Sequence, residues 1–212
     1  EWPETGDLRT KSAIGWRRGL TNAGKGALRL GERAIIGAMG GMPRTALFTL
    51  YQPRKLTWGL ALRTGLRAAP VEYERQWSFS MPSPVVDSHR CGLASLSSND
   101  EFERVFVQFL PESFPILYLE AFQKAKSETL ERYPKIPRVL ASAVGWLFDE
   151  PFKFLAAEAA DKGSRLVGVQ HGGGYGVYRH STGEIHESRL CDSFKVWGWA
   201  DQDTPAFNNL PN

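Results

Sequence analysis

Two short apolar runs, Arg138–Ser142 and Arg165–Gln170, flank one well-marked helix, and no other feature narrows the possible folds as far. Asp149 has the character of an N-cap, and Pro151 suits the first helical turn. Phe152, Leu155, Ala156 and Ala159 recur at the spacing of one helix face, and Gly163 is a C-terminal stop. Strand, helix and strand with joints this short predict two parallel strands and a right-handed crossover. The expected class is therefore α/β, a Rossmann-like parallel sheet with flanking helices. The second strand runs into Gln170-His171-Gly172-Gly173-Gly174-Tyr175-Gly176. His171 then falls at the carboxyl end of a parallel strand, where open α/β sheets bind their ligands.

Elsewhere the periodicity is weaker. It suggests a helix over Leu28–Met39, a buried strand over Thr45–Tyr51 and a helix near Leu56–Leu66. Residues 69–98 carry Pro, Ser and Trp without a period and read as a long loop or irregular subdomain. Ser98 and Glu101 form a capping box ahead of the stripe Phe102, Val105, Phe106, Phe109 and Leu110. Pro111 should end that helix. Ser113 and Pro115 should open another that reaches Tyr133, with Pro134 and Pro137 as breakers. A last strand is expected at Ser193–Trp197, and the tail Asn208–Asn212 reads as turn rather than strand.

Charge and cysteine content exclude several classes. The net charge is +3, but residues 1–70 carry +8 and the remainder −5. Such a basic third reads first as a solvated face, and otherwise suits nucleic acid, an anionic membrane or a phosphorylated substrate. Its cations are scattered and lack interleaved aromatics, so no nucleic-acid partner is expected. Cys91 and Cys191 lie too far apart in sequence for a disulfide framework or a zinc spacing, which favours a reducing cytoplasmic compartment. The longest apolar runs, Ala34–Met42 and Val139–Phe148, are too short to span a bilayer. The chain reads as an internal piece of a longer protein.

The glycine loop and its histidine carry the chemistry. Four glycines in five residues cost folding entropy and add no packing, so the backbone there must approach something closely or take positive φ. Consecutive N–H groups in such a loop can hold phosphate or carboxylate oxygens. Neither the Walker spacing nor the dinucleotide fingerprint is present. His171, whose ordinary pKa is near neutrality, reads as a general base, a phosphate ligand or a satisfied structural histidine. Glu184, Glu187 and Asp192 are either a solvated acidic edge or groups that orient His171 and accept from sugar hydroxyls. Trp197 and Trp199 read as core or interface, with a stacking platform as the alternative. His186-Glu187 opens like a zinc-protease helix, but Leu190 stands where the second His belongs, so no metal is expected.

The run from Ala157-Glu158 through Gln170-His171-Gly172-Gly173, Glu184, His186-Glu187 and Asp192 to Trp197-Gly198-Trp199 resembles a family of bacterial surface-carbohydrate transferases. That family is similar to the capsule-polysaccharide and CDP-glycerol glycerophosphotransferase groups of two-domain GT-B fold. The likeness covers residues 110–200 well and the N-terminal part loosely. It implies transfer of a sugar or sugar-like phosphate group from a nucleotide-activated donor to a polysaccharide or lipid-linked acceptor. Capsule or lipopolysaccharide biogenesis is the implied setting, in the cytoplasm or at the inner face of the membrane. The donor is a substrate, and no further cofactor is implied. His171 matches the relatives' base; Gln170 and Gly173 stand where they have other residues. On this reading His171, Glu187 and Asp192 are catalytic. Gln170, Gly172, Gly173, Gly174, Tyr175, Arg179 and Glu184 contact substrate, with Arg179 and the glycines on phosphate. The implied organisation is a basic N-terminal region 1–98, an αβ core 99–200, and 201–212 leading to a donor domain. A catalytically silent anion- or partner-binding module and a nucleotide-sugar hydrolase or epimerase are the competing readings.

Overall fold

The structure is a computed structural model that describes residues 41–71 and 88–199, the backbone of Phe207–Asn209, and helical positions scattered over residues 30–38. Six parallel strands form one sheet. They are β1 (Thr45–Phe48), β2 (Ala68–Pro70), β3 (Val139–Ser142), β4 (Arg165–Val169), β5 (Ser193–Val196) and β6 (Phe207–Asn209), in the order β2-β1-β3-β4-β5-β6. Helix α1 (Arg54–Arg63) joins β1 to β2. Between β2 and β3 come α2 (Ser88–Leu93), α3 (Glu101–Ser113), a 3-10 turn at Ile116–Tyr118 and α4 (Phe122–Arg132). A single turn, α5 (Gly145–Phe148), precedes α6 (Glu150–Asp161), and α7 (Thr182–Leu190) joins β4 to β5. Right-handed crossovers put α1 on one face of the sheet and α6 and α7 on the other.

The strand–helix–strand unit forms as its residues dictate. Asp149 accepts from the Phe152 N–H at 2.9 Å, which caps α6. Gly163 takes φ +75°, and the bonds Gly163 N–H to Ala160 O and Ser164 N–H to Ala159 O close a Schellman motif. Phe152, Leu155, Ala156 and Ala159 join Phe48, Leu140, Trp146 and Leu166 in the main core. Phe152 meets Trp146 and Phe48 edge-on, at 4.8 and 5.2 Å between ring centroids.

Several expectations are corrected. Asp100, not Ser98, caps α3 by accepting from Glu103 N–H at 3.0 Å. Helix α3 also runs through Pro111 to Ser113. Proline removes one helical N–H, yet the last turn survives because Arg90 donates to the Pro111 and Phe114 carbonyls while paired with Glu120. The expected helix from Ser113 to Tyr133 is broken into the 3-10 turn and α4. The strand expected to reach Tyr51 stops at Phe48. Ala68–Pro70, at the edge of the stretch read as irregular, is a strand, as is Phe207–Asn209 in the tail read as turn. The remainder of residues 72–87 lies outside the described residues. So does most of the basic segment 1–40, including several positions of the expected helix over Leu28–Met39.

This strand order has a topological switch point. From the carboxyl end of β1 the chain leaves towards β2, and from that of β3 it leaves the other way towards β4. The crossovers lie on opposite faces, so a crevice opens between the two strand ends. The loop after β4 stands beside that crevice.

Candidate active site

β4 ends at Val169, and Gln170 is buried behind the loop it starts. Its Nε2 donates to Gly172 O at 2.7 Å. Its Oε1 accepts from Trp197 N–H at 2.9 Å and Trp199 Nε1–H at 3.0 Å. The amide of Gln170 thus ties the histidine loop to the end of β5, and its polar atoms are engaged within the protein rather than turned to a substrate.

His171, Tyr175 and Glu187 form one hydrogen-bonded chain. The Tyr175 hydroxyl lies 2.5 Å from His171 Nε2 and donates to Glu187 Oε2 at 2.6 Å. With that hydroxyl proton committed to Glu187, His171 is the tautomer that donates from Nε2–H to the tyrosine oxygen. Nδ1 then holds the free lone pair. Glu187 is fully buried, and its Oε1 has no hydrogen-bond partner among the described residues, lying 3.5 Å from His171 Nε2. Burial raises the Glu187 carboxyl from its ordinary range to about 7, although the Tyr175 bond pulls the other way. Burial also lowers the His171 pKa and, together with Glu187, raises that of Tyr175. Every shift favours the uncharged form of its group.

Glu187 reaches Tyr175 because α7 exists. No helix was expected after the glycine loop, yet Ser181 accepts from Glu184 N–H at 3.3 Å and starts one. The signal was present as Ser181-x-x-Glu184, a capping-box spacing. Here the Glu184 carboxylate turns to the loop instead and accepts from Gly176 N–H at 3.0 Å. Tyr175 itself is held by stacking on Phe194, with ring centroids 5.6 Å apart.

The glycines divide by role. Gly176 takes φ +71°, and a Cβ there would lie 2.9 Å from the Trp199 ring. Gly172, Gly173 and Gly174 avoid left-handed φ, and a Cβ on Gly173 would meet nothing within 4 Å. The N–H groups of His171, Gly172, Gly173 and Gly174 have no acceptor among the described residues. Four adjacent unpaired donors at a strand's carboxyl end, beside a switch-point crevice, are what an anionic group would need. Arg179 is exposed and has no ion pair among the described residues.

Asp192 is not brought to His171. Its Oδ2 accepts from Leu166 N–H at 2.7 Å at the start of β4, and its own N–H donates to Leu166 O. Five residues of strand separate that point from His171, roughly 16 Å at about 3.3 Å per residue. Asp192 therefore staples β4 to β5 at the amino end of the sheet. Cys191 is buried beside Gly168, and burial with Glu187 and Asp192 nearby pushes its thiol up to about 12, which suits packing and not nucleophilic attack. Among the described residues no group of three or more His, Cys, Asp or Glu is placed to hold a metal, and no helix is long and apolar enough to cross a membrane.

The loop after β1 faces the same crevice. Thr49 and Tyr51 adopt φ +40° and +57°, a left-handed conformation that costs a non-glycine residue about 1 kcal/mol. The exposed Tyr51 ring lies 6.3 Å from that of His171, centroid to centroid.

No curated protein and no solved structure gives a significant match to the chain. A family model described as LIC12162 family transferase matches residues 54–212, which span α1 to β6 and include His171, Tyr175 and Glu187. A match over this share of the sequence places the chain in the LIC12162 family of transferases.

Proposed function

We propose that the protein transfers a sugar or sugar-like phosphate group from a nucleotide-activated donor to a bacterial surface-polysaccharide or lipid-linked acceptor, with His171 as general base. The observation that carries this reading is the chain His171–Tyr175–Glu187 beside four unpaired backbone amides. The acceptor hydroxyl gives its proton to His171 Nδ1. The Nε2 proton moves to the Tyr175 oxygen, and the Tyr175 proton moves to Glu187 Oε2. The acceptor oxygen then bonds the transferred group, and the nucleotide leaves with the electron pair of the broken bond. The relay ends with a neutral imidazole and a neutral carboxyl, the forms that burial favours in both groups. The amides of residues 171–174 and the Arg179 guanidinium offset the charge on the departing phosphate. Glu184 shapes the loop by holding Gly176 N–H.

The donor would be held by a second αβ domain, as in the GT-B transferases that the Gln-His-Gly-Gly block resembles. The reading puts the work in the cytoplasm, at the inner face of the membrane where a lipid-linked acceptor is met. The test is His171→Ala in the full-length protein, assayed with nucleotide-activated donors and cell-envelope acceptors. Loss of a general base lowers the rate by roughly 10²- to 10⁴-fold. Near-normal transfer by the variant would remove His171 from the mechanism. Product analysis separates transfer from hydrolysis of the donor.

A further inference from the structure

The relay leaves one feature of the crevice unused. Tyr51 and Thr49 hold left-handed φ two positions apart, and Thr is β-branched, for which this conformation is a marked outlier. The Tyr51 ring that this backbone projects is 67% exposed, so packing does not repay the strain. Among the ring contacts of Tyr51, the neighbour is His171, at 6.3 Å between centroids with the planes tilted by 44°. The two rings come from the loops after β1 and β4 and converge at the mouth of the crevice.

We propose that Tyr51 is the platform on which the acceptor sugar lies, its C–H face against the phenol ring and a rim hydroxyl turned to His171. This rests on the reading of His171 as general base. An aromatic ring offers an apolar face with a polar tip, which matches a pyranose whose C–H face is apolar and whose rim carries hydroxyls. A nucleobase would stack equally well, but it presents no hydroxyl at its edge for the histidine to deprotonate. The sugar is therefore the occupant that uses both rings.

Saturation-transfer NMR on the full-length protein tests this without the natural acceptor. The probes are methyl glycosides of hexoses, 6-deoxyhexoses and N-acetylaminohexoses, with UMP and CMP as controls. At least one glycoside should receive saturation on its ring protons. Tyr51→Phe should keep the signal, and Tyr51→Leu should lower the affinity about tenfold or more. Tyr51→Gly relieves the backbone strain while removing the ring; it should raise the melting temperature and lose the glycoside signal to the same extent. Retained binding in Tyr51→Leu or Tyr51→Gly overturns the proposal. So does the absence of saturation on every glycoside, or Tyr51-dependent saturation confined to the UMP and CMP bases. His171→Asn keeps the two readings apart, because glycoside saturation should persist in it while transfer is lost. If transfer persists as well, the base assignment falls and the platform stands.

Discussion

Glu187 and Asp192 lie five positions apart in the chain, yet they serve opposite ends of one sheet. Glu187 turns from α7 into the protein and meets Tyr175 below the His171 loop, with one oxygen left without a hydrogen bond. Asp192 follows the end of the same helix, and its carboxylate accepts from Leu166 N–H at the start of β4. An ordinary structural carboxylate is satisfied, as Asp192 is. A buried carboxylate left partly unsatisfied and raised towards neutrality is a destabilising arrangement, and it sits where the crevice, the unpaired amides and the titratable histidine converge. The contrast between the two ends distinguishes a site from a staple.

The largest effects should come from Glu187. Glu187→Gln keeps an acceptor for the Tyr175 hydroxyl but cannot take its proton, so transfer should fall by roughly 10²-fold or more. The same variant should remove a pH dependence. In the unfolded chain a glutamate loses its proton near 4.5, whereas in the fold Glu187 keeps it to about 7. Between those values the folded state binds more protons, so stability falls as pH rises, by on the order of 3 kcal/mol across the window. His171, whose pKa is lowered, slopes the other way, since its unfolded form takes up a proton as pH falls below the ordinary histidine range. Asp149, raised to about 6 by burial, slopes with Glu187 at lower pH, so the informative quantity is the difference between the wild type and Glu187→Gln. Denaturant melts from pH 4.5 to 7.5 should show the wild type losing stability relative to Glu187→Gln as the pH rises towards 7. A constant difference would mean that Glu187 titrates normally.

The two glycines come next. Gly176→Ala forces a side chain onto φ +71° and into the Trp199 ring, so it should cost roughly 2 kcal/mol or more and lower the melting temperature by several degrees. Gly173→Ala meets no atom and no left-handed φ, so its melting temperature should be nearly unchanged. Its added methyl should lower the affinity for nucleoside diphosphates about tenfold, or 1.4 kcal/mol, in a calorimetric titration. Unchanged diphosphate binding by Gly173→Ala would take the anion role away from residues 171–174.

The smallest effect on function is expected at the other end of the sheet. Asp192→Ala leaves Leu166 N–H without its partner and should cost about 1–3 kcal/mol of stability, with turnover per folded molecule unchanged. A catalytic defect in well-folded Asp192→Ala would erase the distinction between the two carboxylates.

Local rules written into the sequence were enough for the α/β class, for α6 between parallel strands, and for His171 at a strand's carboxyl end. Asp149, Pro151, Gly163 and the stripe Phe152–Ala159 act within one or two helical turns, so their meaning does not depend on distant contacts. The capping box at Ser181 was legible by the same rules, and with it the helix that carries Glu187. Other features were beyond local reading. Helix α3 survives Pro111 because Arg90 arrives from outside it, and β2 and β6 are three-residue edge strands defined by the neighbours they pair with. Which acidic residue meets His171 was likewise a matter of three dimensions. Tyr175 reaches the histidine from the same loop, Glu187 and Tyr51 come from α7 and the loop after β1, and Asp192 is carried away from it by the direction of α7. Propensity and capping operate along the chain over a few residues. Hydrogen bonds, burial and the pKa shifts they impose operate through space, and those were decided when the sheet brought the loops after β1 and β4 together.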